Sequence, residues 1–515
     1  MPNKLSYALI VFTIVGLASG LALIASSFTD LDGFLPFSYV LVLAVLILWT
    51  GWRLIREEKP PQWLLYLVIG AAMLRLAAGA FWFVELPIYG HPNETQQSGY
   101  IMYDAYRREN AAWDLAQSDE PLLSAFQGAS YMDQYGGVLF ISGLVYRYLA
   151  ADVHYPLQII VITAAFSAAA IWYTWGMTNQ LWGEKAAKLA AWTLALYPDA
   201  VLLGSSQMRE AYTITMVAAF SYYLVKYWKT RSTGMLIGVF AVSAVTVLLS
   251  IPVVLMLVLI GLVISINLSA GIISDHKRRW FSIGAVGGFA ALLILISVIS
   301  VEWWGLVIDY QAYTTVSASG KLGAIFGRIP EWTHYPYLVI YGLVRPLLPA
   351  ALVAYESGWL WHSIAIWRAV GWTGLFGLFL YANLLAFKEK SWREIIGSLL
   401  FITWIGILFA SIRGGGDLWD NPRYRVTVAG LQASAAAWAL WRYRETRDPW
   451  LRRVLVTVGL IIGWYLAWYI DRQVVDYGWP VTNMITLTVL AFLSSGLYIF
   501  WDWKGLSTKN KTDRK

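Results

Sequence analysis

The chain has 515 residues, 58% hydrophobic and 13% charged, with a mean hydropathy of +0.56. Soluble domains carry about twice that charged fraction, so a soluble enzyme is excluded. The absence of cysteine rules out disulfides and thiolate metal sites, and the net charge of +7 reads as a membrane-topology signal with no nucleic-acid partner attached.

Repeated apolar runs of about 16 to 22 residues match a hydrocarbon core of ~30 Å. In chain order the pattern predicts fourteen spans: 7–27, 37–52, 63–84, 157–177, 189–204, 211–227, 234–249, 252–273, 280–300, 366–387, 395–412, 426–440, 454–470 and 481–501. The first is too long for a secretory h-region and reads as a retained anchor. With the N-terminus inside, the inner loops collect 25 of the 38 basic residues, the asymmetry of the positive-inside bias. Alternation stays in phase only if 136–150, interrupted by Arg147, and 337–353, interrupted by Arg345 and two prolines, do not cross; both are expected to be interfacial or re-entrant helices. The fold class is therefore all-α: a polytopic transmembrane bundle with interfacial helices on its outer face. It reads as one membrane domain over 1–515, with an outer loop at 85–156, a second at 301–354 and a basic cytoplasmic tail at 502–515.

Polar chemistry gathers at four places assigned to that outer face: 85–134, Ser205–Glu210, 301–336 and 413–425. The first holds a run from Tyr100 to Ser118 with helical spacing. At about 100° per residue, Asp104, Arg107, Arg108 and Asp114 share an arc of roughly 120°, while Glu109 points away. Either this is an amphipathic helix with solvated ion pairs, or Asp104 or Asp114 is a general base poised by guanidiniums. Glu210, beside Arg209, suits the start of a helix, yet charge at membrane depth also marks polar sites. The turn R-G-G-G-D-L-W-D-N-P-R-Y-R places Arg413, Arg423 and Arg425 on the face where basic residues are disfavoured. Arginine forks match phosphate oxygens, which points to a lipid headgroup; anchoring or ion pairing is the alternative. The five histidines show no ligand spacing, so no metal is expected. Asp30 and Asp32 form an acidic pair in a short loop, read as a solvated turn. Arg75 is the clearest charge within a span.

The segment from Leu181 to Trp228, with Pro198 near the end of one span and Glu210 before the next, resembles the GT-C superfamily of integral-membrane glycosyltransferases, which includes protein O-mannosyltransferases and aminoarabinose transferases. Asn421 to Arg425, N-P-R-Y-R, is similar to their His-Pro-Arg-Tyr-type element, and the acidic loop from Asp104 matches their catalytic loop in kind. Two departures stand out: two further apolar segments precede the loop, and there is no adjacent acidic pair.

The resemblance implies a polyprenyl-phosphate-linked sugar as donor, used in the plasma membrane of a prokaryote at the outer face with inversion, and no cofactor. It makes Asp104 the base, with Asp114 or Glu210 orienting, and puts Arg209, Arg423 and Arg425 on the phosphate, with Arg107 and Arg108 flanking. A lipid-linked oligosaccharide flippase and a polysaccharide polymerase or ligase are the rival readings. The first would show inverted repeats, and the second a large later outer loop.

Overall fold

A computed structural model describes residues 4–127, 135–150, 153–269, 326–327, 329–354, 358–414, 421–475 and 483–512, together with Gly284, Gly287 and Gly288. Helices α1 (Lys4–Ala25), α2 (Phe34–Ile55) and α3 (Gln62–Tyr89) precede a set of short ones: α4 (Glu94–Gln97), α5 (Tyr103–Gln117) and α6 (Gly137–Tyr148). Then come α7 (Leu157–Trp182), α8 (Glu184–Leu196), α9 (Pro198–Gly204), α10 (Arg209–Thr230), α11 (Thr233–Leu249) and α12 (Ile251–Leu268). After 325 follow α13 (His334–Val344), α14 (Leu348–Val353), α15 (Gly358–Lys388) and α16 (Ile395–Gly414). A 3₁₀ turn, Asn421–Val428, leads into α17 (Ala429–Thr446), α18 (Trp450–Ile470) and α19 (Met484–Thr512). No strand occurs among the described residues.

The chain is an integral membrane protein. Eight described helices are long and apolar enough to cross a bilayer, or nine if α8 and α9 form one bent span. The fourteen predicted spans differ from that count for physical reasons. Every one except 280–300, which lies almost wholly outside the described residues, falls on a helix or on the bent pair. Helices α10 and α17 face protein on nearly all sides, so they carry Tyr, Thr, Ser and charged side chains that lower their hydropathy. The apolar part described for α1 and the whole of α11 are simply short.

Helix α7 is the hub, with 94% of its apolar window buried against 17–22% for α2, α12, α18 and α19. Its small residues, including Ala164, Ala165, Ala168, Ala169 and Ala170, let α2, α3, α8 and α10 approach closely. Both stretches expected to be interfacial form helices shorter than a bilayer core. At 1.5 Å per residue α6 is about 18 Å long, and the 337–353 stretch divides into α13 and α14 around Arg345.

The break between α8 and α9 has a covalent cause. Pro198 lacks an N–H and its ring would meet the carbonyl four residues back, so Tyr197 turns extended and the axis bends by 54°. Gly371 of α15 lies flat on the proline, since a Cβ there would sit 2.4 Å from its ring. The last carbonyls of α8 lose their helical donors. Arg75 donates to one of them, Ala195 O, at 3.4 Å, and also to Ala71 O at 2.9 Å and Ser167 Oγ at 3.0 Å. The clearest mid-span charge thus holds the backbone of a broken helix.

Helix α10 runs about 33 Å from end to end. Glu210 stands at its start, and Lys226 near its finish pairs with Glu57 at 2.7 Å and Glu58 at 2.9 Å. The two charge clusters are therefore about 24 Å apart along the helix axis.

Candidate functional site: a guanidinium–carboxylate cluster over an apolar groove

Helix α5 lies as a cap over the start of α10, and its attachments explain why it stays there. Tyr106 donates to Glu94 at 2.7 Å, and Arg108 donates to Gln207 O, in the α9–α10 turn, at 3.2 Å. Glu109 does point away from Asp104, as helical geometry requires, and is 1% exposed. It accepts from Tyr146 and lies 3.1 Å from His154 Nε2, while Trp113 stacks on His154. Burial raises the Glu109 carboxyl above its ordinary value, with His154 opposing. At the far end Arg147 gathers the carbonyls of Leu115, Ala116, Ser118 and Glu120. The charge that interrupts α6 is the C-terminal cap of α5.

So held, α5 presents Asp104 to the 3₁₀ turn. Arg423 donates through an Nη to Asp104 Oδ2 at 2.7 Å and to the Tyr424 hydroxyl at 2.9 Å, and its Nε is 3.8 Å from Glu210 Oε1. Glu210 Oε2 is buried and has no hydrogen-bond partner among the described residues. Arg209 packs over the Tyr135 ring at 4.6 Å. Burial would push the Asp104 carboxyl up, but the guanidiniums of Arg423, Arg108 and Arg209 outweigh it and hold it below the usual carboxylate value.

Beneath this cluster opens a groove of about 70 Å³ between α10, α12, α16 and the turn. Its head is Arg209, Glu210 and Tyr424; Pro252, Val253, Met256, Phe409 and Val428 form apolar walls, interrupted by the hydroxyls of Thr213, Ser250 and Thr427. Gly406 lets the turn come down onto α16, because a Cβ there would lie 2.7 Å from Val428.

The sequence expectations meet this geometry unevenly. Asp104, Arg108, Arg209, Glu210 and Arg423 are brought together. Asp114 is exposed near the other end of α5, about 15 Å along its axis from Asp104. Arg107 packs over Tyr103 at 5.4 Å. Arg425, expected on a phosphate, points into the protein instead: it donates to Asp199 Oδ2 at 3.0 Å and to Arg345 O at 2.6 Å, and lies 3.4 Å above the Trp372 ring. The Arg413 side chain and most of the glycine run lie outside the described residues. Asp30 and Asp32 form an exposed turn, with the Asp32 N–H donating to Asp30 Oδ1 at 3.1 Å.

Sequence reasoning missed one cluster. Asp199 also accepts from Arg368 Nε at 2.6 Å and from the Tyr197 hydroxyl at 3.0 Å, with all three charged side chains 3% exposed or less. Its signal was available: Asp199 beside Pro198 and Arg368 inside the 366–387 run are opposite charges at membrane depth, where each needs a partner.

The sequence matches no protein-family signature and no curated protein. Among solved structures it is similar to the oligosaccharyltransferase AglB from Archaeoglobus fulgidus in complex with an inhibitory peptide and a dolichol-phosphate, at 14% identity and a TM-score of 0.41 over 84% of this chain and 54% of that one. The apo form of the Archaeoglobus fulgidus oligosaccharyltransferase gives 14% and 0.40 over 85% and 56%. ArnT from Cupriavidus metallidurans in the apo state gives 14% and 0.31 over 72% and 76%. The chain spans about half the length of the oligosaccharyltransferases it matches.

Proposed function

We propose that this protein is a membrane glycosyltransferase that moves a sugar from a polyprenyl-phosphate-linked donor to an acceptor at the outer membrane face, with inversion. The observation that carries the reading is the pairing of two chemistries in one place. A carboxylate and a guanidinium in contact at 2.7 Å stand beside the charged head of a groove whose walls are mostly apolar. A lipid phosphate needs both halves, a cationic head and an oily track.

Each residue then has a task. Arg423, with Arg209, takes the donor phosphate. Asp104 accepts the proton of the acceptor nucleophile as that atom bonds to the anomeric carbon from the face opposite the phosphate. The bond from carbon to phosphate oxygen breaks, and its electron pair leaves with the polyprenyl phosphate. Negative charge growing on that oxygen is what the guanidiniums stabilise beyond ground-state binding. Glu210 orients Arg423 through its Nε, 3.8 Å away. Asp114, Arg107 and Arg108 are assigned supporting roles on α5, Arg108 by fixing the helix to the α9–α10 turn.

The test is sugar transfer by the full chain in lipid nanodiscs, with a polyprenyl-phosphate sugar as donor. Asp104→Asn keeps the shape and removes the basicity, and a drop of about 10² to 10⁴ in turnover with donor binding retained is expected. Near-normal turnover in that variant would take the base away from Asp104. Were Asp114→Asn inactive in the same assay, the role would pass to Asp114.

A further inference from the structure

Arg425 stands two residues from Arg423 but serves a different cluster, and that difference has a use. In a 3₁₀ turn, at three residues per turn, positions i and i+2 project from different faces. Turning Arg425 inward therefore turns Arg423 outward. We propose that Asp199 is a positioning residue: by anchoring Arg425, it fixes the 421–428 turn so that Arg423 is aimed at Asp104, Glu210 and the head of the groove. The inference rests on the transfer reading for its kinetic consequence, though not for its geometry.

Three observations support it. The Asp199 carboxylate joins three separate elements, since it lies on α9 and binds Arg368 of α15 and Arg425 of the turn. Arg425 is fixed further by the Arg345 carbonyl and by stacking on Trp372, so its side chain has one orientation rather than a swarm of them. Buried ion pairs, moreover, are poor sources of stability: well-packed apolar residues in their place often do as well or better. Two guanidiniums and a carboxylate inside a membrane bundle make sense as a device that specifies direction. The bend at Pro198 is what delivers Asp199 to this point.

The cysteine-free chain allows a test that needs no substrate. Arg423→Cys introduces a single thiol, and its rate of modification by an aqueous maleimide reports where position 423 faces; Arg423 itself is 13% exposed. Adding Asp199→Asn should change that rate about tenfold or more, whereas Asp199→Glu, which keeps the carboxylate, should restore most of it. A thiol from Ser118→Cys, on the exposed end of α5, should label equally in all backgrounds and so reports the fold. If Asp199→Asn cannot be purified, Arg425→Lys removes the stacked fork and should move the rate in the same way. An unchanged rate at position 423 in the purified variants would overturn the proposal.

The kinetic arm separates orientation from general loosening. Asp199→Asn should weaken the donor's apparent affinity by about 10- to 100-fold, the worth of one charge-assisted hydrogen bond. That loss should vanish when Arg423→Ala is already present, because both changes remove the same contact. Independent, multiplying losses would reduce Asp199 to a packing element. If wild-type protein neither binds nor consumes a polyprenyl-phosphate sugar while the thiol rate still responds to Asp199, the transfer reading fails and the positioning role stands.

Discussion

At the scale of single residues, the pair Asp104–Arg423 sets a pH dependence whose sign can be worked out. Burial opposes ionisation of Asp104, but the guanidiniums of Arg423, Arg108 and Arg209 prevail, and the folded carboxyl titrates below the ordinary aspartate value of about 3.9. The pair's contribution to stability is complete above that ordinary value and is lost as pH falls through the folded one. The acid limb of kcat/KM should follow the same group and lie unusually low. Arg423→Ala should move the limb upward, toward or beyond a free carboxylate; a limb that stays in place would detach the titration from this pair. Arg423→Lys should impair donor use nearly as much as the alanine variant, because a point charge cannot offer one fork to two acceptors. Donor affinity and turnover measured together check that, and a lysine variant close to wild type would argue against a bidentate contact.

This scale also shows what the sequence could say. Asp104, Arg209, Glu210 and Arg423 were legible as candidates because each is polar where its neighbours are not, on elements assigned to one face. That Arg423 would meet Asp104, 319 positions away, was not legible, because no local rule carries that pairing. Arg425 misled for a related reason. Two arginines flanking one tyrosine look equivalent in a string, while in a 3₁₀ turn they face apart.

At the scale of elements, α5 is a small polar helix, mostly buried or half-buried, and its attachments are discrete. Arg147 can be removed without touching the charge cluster. Arg147→Met keeps the side chain's apolar reach and deprives four carbonyls of their donor. It should release the C-terminal half of α5 at a cost of about 2 kcal/mol, seen as roughly 30-fold faster amide exchange across 110–117 with protection in α7 and α10 unchanged. Equal exchange in the variant would mean that Trp113, Tyr146 and His154 suffice to hold the helix. Element types were well predicted among the described residues: the apolar runs became helices, and the two runs interrupted by arginine became short ones. The bend at Pro198 fell inside a predicted continuous span, because hydropathy averages over the one residue that cannot continue the hydrogen-bond ladder.

At the scale of the whole molecule, the Asp104 cluster and the Lys226 cluster occupy opposite ends of α10, and the bias of basic residues assigns the first to the outside. An impermeant thiol reagent should therefore reach Asp119→Cys in intact cells and reach Arg393→Cys only after permeabilisation. The reverse pattern would invert the topology, and with it the side on which a donor must be presented. Span number was the least legible quantity. A hydropathy window presumes lipid on every side, and α10 and α17 are largely surrounded by other helices.

One guanidinium, Arg423, lies against the carboxylate proposed as base and is also the group proposed to receive the donor. It cannot serve both fully at once. On the proposed reading, with no donor bound, the base would be neutralised by its neighbour, and a stray water would find little basicity to exploit. When a phosphate draws Arg423 toward the groove, Asp104 is released just as the sugar arrives. In kinetic language the protein would behave as an ordered system in which the donor licenses the acceptor, and its idle state would waste little donor on hydrolysis.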